Sequence, residues 1–367
     1  MSKWWIFAAM DTWFFRDGTP FHSGEMGSTV FHSEFPPSIH TLQGAIRTTL
    51  AKMQGWRPDR KLPKILGDGE NLGCLRLTGP FLRYKGKILF PLPRVIIGKK
   101  TSGEENWTFK RLTIGGEVEC DLGKVRLPLL DRKDGNLISA WTTKEGLERV
   151  LRGGLPKREQ IYFPSELWKE EWKIGISINP KTRSAEDRHL YQYIQIRPFP
   201  SLEIMVKVEG VPDDWHPKEK MGVCLGGEGK LDRLEVEEIA DKDVFPSVPP
   251  LGNQNGKVRF VASLLTPGQY SELLTWDPYK ELSHVVRNGP LADFATCVSA
   301  SIDKLVPIGG WNIEKKEPRP KIPHFPAGST WFYEAPYDQL KAITAMHGTC
   351  AMPDYGKGYL VIGTWEA

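Results

Sequence analysis

Tyr355-Gly356-Lys357-Gly358-Tyr359-Leu360-Val361-Ile362-Gly363-Thr364-Trp365 is the stretch whose reading decides the fold. Two glycines flank one lysine, and a strand follows at once. A period of two puts Tyr359, Val361 and Trp365 on one face, with Gly363 between them, and Leu360, Ile362 and Thr364 on the other. Both faces are largely apolar, which suits a central strand. The glycines let backbone N–H groups approach an anion, and Lys357 adds a full charge beside them. A plain turn between a helix and a strand accounts for the same residues, so the motif in isolation leaves both readings open.

Leu225-Gly226-Gly227-Glu228-Gly229-Lys230 is its counterpart. A short helix is expected over 216–223 before it and an alternating strand over 231–239 after it. Between the two motifs, residues 245–256 hold Pro246, Pro249, Pro250, Gly252 and Gly256 and form the best linker. The region beyond reads as a strand at 257–265, an irregular segment to 300, a strand at 301–307, a Lys/Glu/Pro-rich loop at 313–326, a strand at 328–334, a helix at 336–347, and the terminal strand. The region before it reads as a strand at 4–10, a helix at 38–53, a long hairpin at 173–196, a strand at 202–208, then the helix, turn and strand at 216–239. The expected fold is therefore α+β. It consists of tandem ferredoxin-like (RRM-like) βαββαβ domains, 1–244 and 257–367, with a large insertion at about 65–172 in the first. The insertion is poorly periodic, with short strand candidates and a weakly helical stretch at 139–151.

The 367 residues suffice for two domains, and 40% hydrophobic and 26% charged residues describe a globular chain with a core. The formal charge of +4 permits a nucleic-acid partner without demanding one, so any basic surface must come from clustering. Four places cluster charge. Arg16 follows an aromatic run, Trp13-Phe14-Phe15, which is either core or a surface where bases stack beside a guanidinium. Arg47 and Lys52 leave the buried stripe Ile39, Leu42, Ile46, Leu50 and Met53 of the helix that Ser38 is placed to cap. Arg57, Arg60, Lys61 and Lys64 are opposed only by Asp59. The hairpin tip carries Lys181, Arg183, Arg188 and His189; it is a solvated loop or an arm over a polyanion. The five cysteines form no C-x-x-C pair and the eight histidines lack ligand spacing, so no metal and no cofactor is expected. Buried thiols in a reducing cytoplasm fit better than disulfides. The apolar run between Lys3 and Asp11 is strand-like rather than a secretion signal, and no stretch approaches membrane-spanning length.

An ordered set of landmarks carries a resemblance. These are Asp17-Gly18-Thr19-Pro20-Phe21 after Arg16, the helix with Pro37-Ser38, Thr41-Leu42 and Gly44-Ala45-Ile46-Arg47, the Gly226-Gly227-Glu228-Gly229 turn, and Gly356-Lys357-Gly358. Together they resemble subunit three of the Cmr complex, the type III-B CRISPR effector, in the RAMP superfamily. The resemblance implies a non-catalytic subunit that binds the 5′ tag of the CRISPR RNA. It also implies contacts with the large polymerase-like subunit and the repeated backbone subunit, target RNA being met only through the guide. On that basis the RNA-binding residues are expected to be Arg16, Arg47, Lys181, Arg183, Arg188, Gly226, Gly227, Gly229, Lys230, Gly356, Lys357 and Gly358. Two other readings remain. An endoribonuclease that processes CRISPR RNA needs a general acid or base, for which His22, His40 and His189 are the candidates. A structural adaptor needs no RNA contact at the glycine turns. No Ser/His/Asp set, nucleotide loop or paired-carboxylate motif points to an ordinary hydrolase or oxidoreductase.

Overall fold

The computed structural model describes residues 2–17, 30–100, 107–120, 123–129, 135–179, 181–270, 288–312, 315 and 317–365. The chain is a strand-rich α+β protein with two principal antiparallel sheets. In the first, Arg76–Tyr84, Leu202–Glu209, Ser2–Ala9 and Leu231–Ile239 lie side by side in that order. Lys87–Pro91, Trp141–Thr143 and Ile161–Tyr162 extend it at one end and Met221–Cys224 at the other. The second runs Thr296–Ser301, Thr330–Pro336, Lys257–Leu264, Leu360–Thr364. Numbered along the chain, both four-strand blocks have the spatial order second, third, first, fourth.

Alternation along the strands decides how the layers stack. Trp5 and Phe7 point to one face of the first sheet, where they pack with Ile204, Val206 and helix Ile39–Met53 through Ile39, Leu42, Ile46 and Leu50. Trp4, Ile6 and Met205 point to the other face. They meet Phe81, helix Lys144–Leu151, Val361 of the second sheet's last strand and Tyr359 just before it. That last strand is buried on both faces, as its sequence leads one to expect, yet it lies at the end of its sheet. Its second face is covered by the first sheet and helix Lys144–Leu151 instead of by further strands of its own sheet. Gly363 makes the contact possible: a Cβ there would fall 2.9 Å from both Cα and O of Leu151.

Several expectations are corrected. The hairpin forms, over Trp168–Ile178 and Ala185–Pro198, but it stands outside the first block, in a sheet of its own with Val30–Phe31. The block's second strand is Arg76–Tyr84, from the region read as an insertion; Gly79 and Pro80 interrupt its apolar pattern. The helix expected at 216–223 is a 3-10 turn, Asp213–Trp215, and then the strand Met221–Cys224, because Pro217 and Gly222 disfavour a helix and the 231–239 strand supplies a partner. The second block's edge strand is Thr296–Ser301, inside the segment expected to be irregular. The expected strand at 301–307 instead starts at Val306, and Val306–Asn312 pairs with Glu317–His324, within the segment read as a loop. Met53, placed in the helix's buried stripe, is exposed, and Arg47, expected to leave it, is buried.

Replacing Gly363 by alanine must push Leu151 and the helix it ends away from the terminal strand. The expected cost is about 1–3 kcal/mol, read by denaturant unfolding. Gly252→Ala, with open space around the new methyl, is expected to leave stability unchanged. Equal stability of both variants would contradict this packing.

Candidate functional site

The hairpin rises from a well-built root. Trp13 and Ile196 exchange two backbone hydrogen bonds of 2.8 Å, which tie the returning strand to the aromatic run. Trp13 stacks on Phe35, and Phe35 meets Trp168 edge-on at the foot of the outgoing strand. Lys230 joins three elements: its ammonium donates to Thr12 Oγ1 at 2.8 Å and to Gln195 Oε1 at 3.3 Å, with Asp11 at 3.9 Å. Gly227 N donates to Phe14 O at 2.8 Å, and Gly226, at φ +86°, comes so close that a Cβ would fall 2.5 Å from that same oxygen. The turn of Gly226, Gly227 and Gly229 is therefore docked on the aromatic run, and Lys230 secures it. Beneath it Asp232 is fully buried, accepts from Trp13 Nε1 at 2.7 Å, and is pushed up to about 7 by burial.

Above this root the hairpin changes character. Trp172, Ile174, Ile176 and Ile178 alternate along the outgoing strand, so they share one face, and each is more than half exposed. Single exposed apolar residues are ordinary; four in register are a surface. At the tip Lys181 and Arg183 are exposed, and Arg183 holds φ +56° beneath an Asn179-centred turn. Arg16 is exposed nearby in sequence space of the root, its guanidinium 4.7 Å from the centre of the Phe31 ring. His22 and the side chains of Arg188 and His189 lie outside the described residues.

The terminal glycine turn sits elsewhere, in the seam between the two sheets. All three amides are used internally: Gly356 N donates to Pro353 O, Lys357 N to Met352 O and Gly358 N to Pro267 O. Lys357 is only 4% exposed and donates to Gln269 Oε1 and to His324 Nε2, both at 3.0 Å. This orientation differs from the anion-facing turn expected of the sequence, since burial between the sheets turns the donors inward. His324 in turn bonds Ile322 O through Nδ1 at 2.8 Å, which assigns a neutral ring that accepts from Lys357. His40, at the start of helix Ile39–Met53, stacks at a tilt on Tyr355, 4.9 Å between ring centres. Arg47, on the same helix, donates to Gln43 Oε1 and Asp68 O. Arg319, which lay in the supposed loop, reaches Gly69 O across the seam.

Burial, and then Arg319, lowers Lys357 to about 8. Burial, and then Lys357, lowers His324 to about 4; burial, followed by Lys357, His324 and Arg319, lowers His40 to about 3. The site residues thus fall into two places, the hairpin with its root and the seam. Arg57, Arg60, Lys61 and Lys64 are exposed and join neither. Sequence reasoning missed Arg319 and His324, which prolines hid in a supposed loop, and the apolar stripe, whose alternation was visible but whose exposure was not. Among the described residues no group of His, Cys, Asp or Glu is placed to hold a metal ion, and no helix is long and apolar enough to cross a membrane.

Comparison with known proteins places the chain among CRISPR-associated proteins: the Cas_Cmr3 family model matches residues 5–365. The chain belongs to the Cas_Cmr3 family and is a component of a type III-B Cmr effector module, as its landmarks led us to expect. No curated protein matches the sequence. Two solved structures share the fold. One is a chain of the type III-B Cmr-beta complex bound to cognate target RNA and AMPPnP, 17% identical with a TM-score of 0.51 over 90% of this chain and 86% of that one. The other is a chain of the Cmr-beta complex bound to cognate target RNA, 15% identical with a TM-score of 0.52 over 94% and 89%.

The seam predicts an acid response. His324 and His40 hold folded values below their ordinary 6.5, so the unfolded chain takes up their protons first. Their support is present above pH 6.5 and is lost as pH falls toward 4. From pH 7 to pH 5, the shift of His324 alone corresponds to about 2 kcal/mol of stability, measurable by urea unfolding at both pH values. His324→Gln is expected to shrink that difference; an unchanged difference would contradict the assignment.

Proposed function

We propose that this chain is a non-catalytic RNA-binding subunit of the effector, one that grips the 5′ tag of the CRISPR RNA. We read each four-strand block as a ferredoxin-like (RRM-like) domain. The first supplies its regular helix after the first strand, and the second supplies a short one after the third strand. The observation that carries the proposal is the hairpin: an exposed apolar stripe, a cationic tip and a root held by Lys230 and the Trp13–Ile196 bridge. Single-stranded RNA offers unstacked bases and a row of phosphates. Trp172 and the three isoleucines suit the bases; Lys181 and Arg183 suit the phosphates. Arg16, beside Phe31, is proposed to add charge next to the hairpin, and Arg188 joins them on its sequence alone. The three glycines at 226, 227 and 229 position this apparatus.

Gly356, Lys357 and Gly358 act at a distance in this reading, by holding the two domains in register. The large polymerase-like subunit and the backbone subunit are its proposed neighbours, with target RNA reached through the guide, in antiviral defence. His40 is half-buried against Tyr355 in the seam, apart from the hairpin, which favours this role over RNA processing, because a general acid or base must reach the scissile phosphate.

The full chain is expected to bind tag-bearing RNA in a salt-dependent way and leave it intact. Reversing Lys181 and Arg183 together to glutamate is expected to weaken binding by about tenfold and to flatten the salt dependence by about one to two phosphate contacts. Unchanged affinity and salt slope in the folded double variant would contradict the proposal. Cleavage of repeat RNA that disappears in His40→Ala would favour the processing enzyme.

A further inference from the structure

A cleft of ≈ 720 Å³ opens at the end of the first sheet, where Ser2–Ala9 finishes and the turns at 85–86 and 198–201 meet. Arg83 and Glu203 form its floor, joined at 2.6 Å, and Arg83 is further held by both carboxylate oxygens of Glu237 at 2.9 Å. With two carboxylates on one guanidinium, the floor carries no spare positive charge. The rim does. Arg233 is more than half exposed and, among the described residues, has a 3.9 Å contact with Glu203 as its ion pair. Lys85 lies over the Tyr84 ring at 5.0 Å, on a turn fixed at φ +50°. The wall is apolar, made by Met10, which is 68% exposed, together with Phe199 and Pro200. Asp11 is on the remaining side, already engaged by Arg197 at 3.0 Å.

Cations at the mouth, a flat apolar wall and carboxylate acceptors at the base are the complements of a phosphate, a planar ring, and the amino or hydroxyl groups of a nucleotide. The volume is within the range of small-ligand clefts. A peptide strand is a poorer fit, since the prolines at 198 and 200 remove backbone donors from that edge.

We propose that this cleft binds one nucleotide, its phosphate on Arg233 and Lys85, its ring against Met10 and Phe199, and its donors toward Glu203. The nucleotide is either free or part of an RNA; only the second source rests on the RNA-binding role proposed above. Asp11 connects the two places, because it lines the cleft and also lies 3.9 Å from Lys230 at the hairpin root.

The test is fluorescence anisotropy of AMP carrying an N-methylanthraniloyl group on its ribose, titrated with the full chain. The labelled AMP is expected to bind, and Arg233→Glu with Lys85→Glu is expected to weaken it by about tenfold or more. Arg233→Lys should keep most of the affinity, and thermal melts should show all variants folded. A short single-stranded RNA that displaces the label identifies RNA as the source; a label displaced by unlabelled AMP but not by RNA identifies a free-nucleotide site. No binding by the native chain, or equal binding by the charge-reversed variant, would overturn the inference. Failure of the RNA-binding proposal alone shows differently: AMP still binds and RNA of any kind does not.

Discussion

The backbone of Gly356 passes so close to the strand Arg76–Tyr84 that a Cβ would fall 2.4 Å from Leu77 O and 2.6 Å from Thr78 Cα. No side chain fits there, and φ at +57° independently favours glycine. This contact fixes the relation between the two sheets. It brings Tyr359 and Val361 onto Trp4, Ile6 and Phe81, gives the terminal strand its second buried face, and seals Lys357 beside His324. A buried ammonium partnered by two neutral groups is costly unless both hydrogen bonds are kept, so the seam tolerates little slippage. Thr266 Oγ1 adds a further clamp by donating to Gly356 O at 2.7 Å.

A rigid seam matters to the proposed function because the proposed RNA-binding hairpin lies outside it. The hairpin is a two-stranded lever, and such a ribbon is marginal unless its base is anchored. Its base is anchored on the aromatic run, which is anchored in turn on the glycine turn and Lys230. A lysine spent on Thr12 and Gln195 is a positioning charge. It orders the platform from which Lys181, Arg183 and the apolar stripe project. Both glycine–lysine motifs therefore act as joints: one sets sheet on sheet, the other sets arm on body.

Much of this was legible in the residues. Strict alternation revealed the terminal strand, the hairpin and Leu202–Glu209, and helical spacing revealed Ile39–Met53, because local periodicity records a buried face. Strands broken by special backbone residues were not legible. Gly79 and Pro80 obscured the second strand of the first block, and Pro318, Pro320 and Pro323 disguised Glu317–His324. The direction of charges was legible least. Lys357 and Arg47 read as exposed cations, but their partners, Gln269, His324 and Asp68, lie far from them in sequence or on another element. Burial by a second sheet leaves no mark on the local pattern. Conversely, the residues from Lys173 to Ile178 read only as one arm of a long hairpin, and only the fold shows that no described element covers the face of Trp172, Ile174, Ile176 and Ile178.

The central claim is that the hairpin and its root are the RNA-contacting face of this chain. Its most direct test is photocrosslinking of a CRISPR RNA bearing 4-thiouridine in the tag, within the assembled effector, with the crosslinked peptides mapped by mass spectrometry. The account predicts crosslinks within residues 168–198 and 11–17. Crosslinks confined to surfaces away from both segments would contradict it.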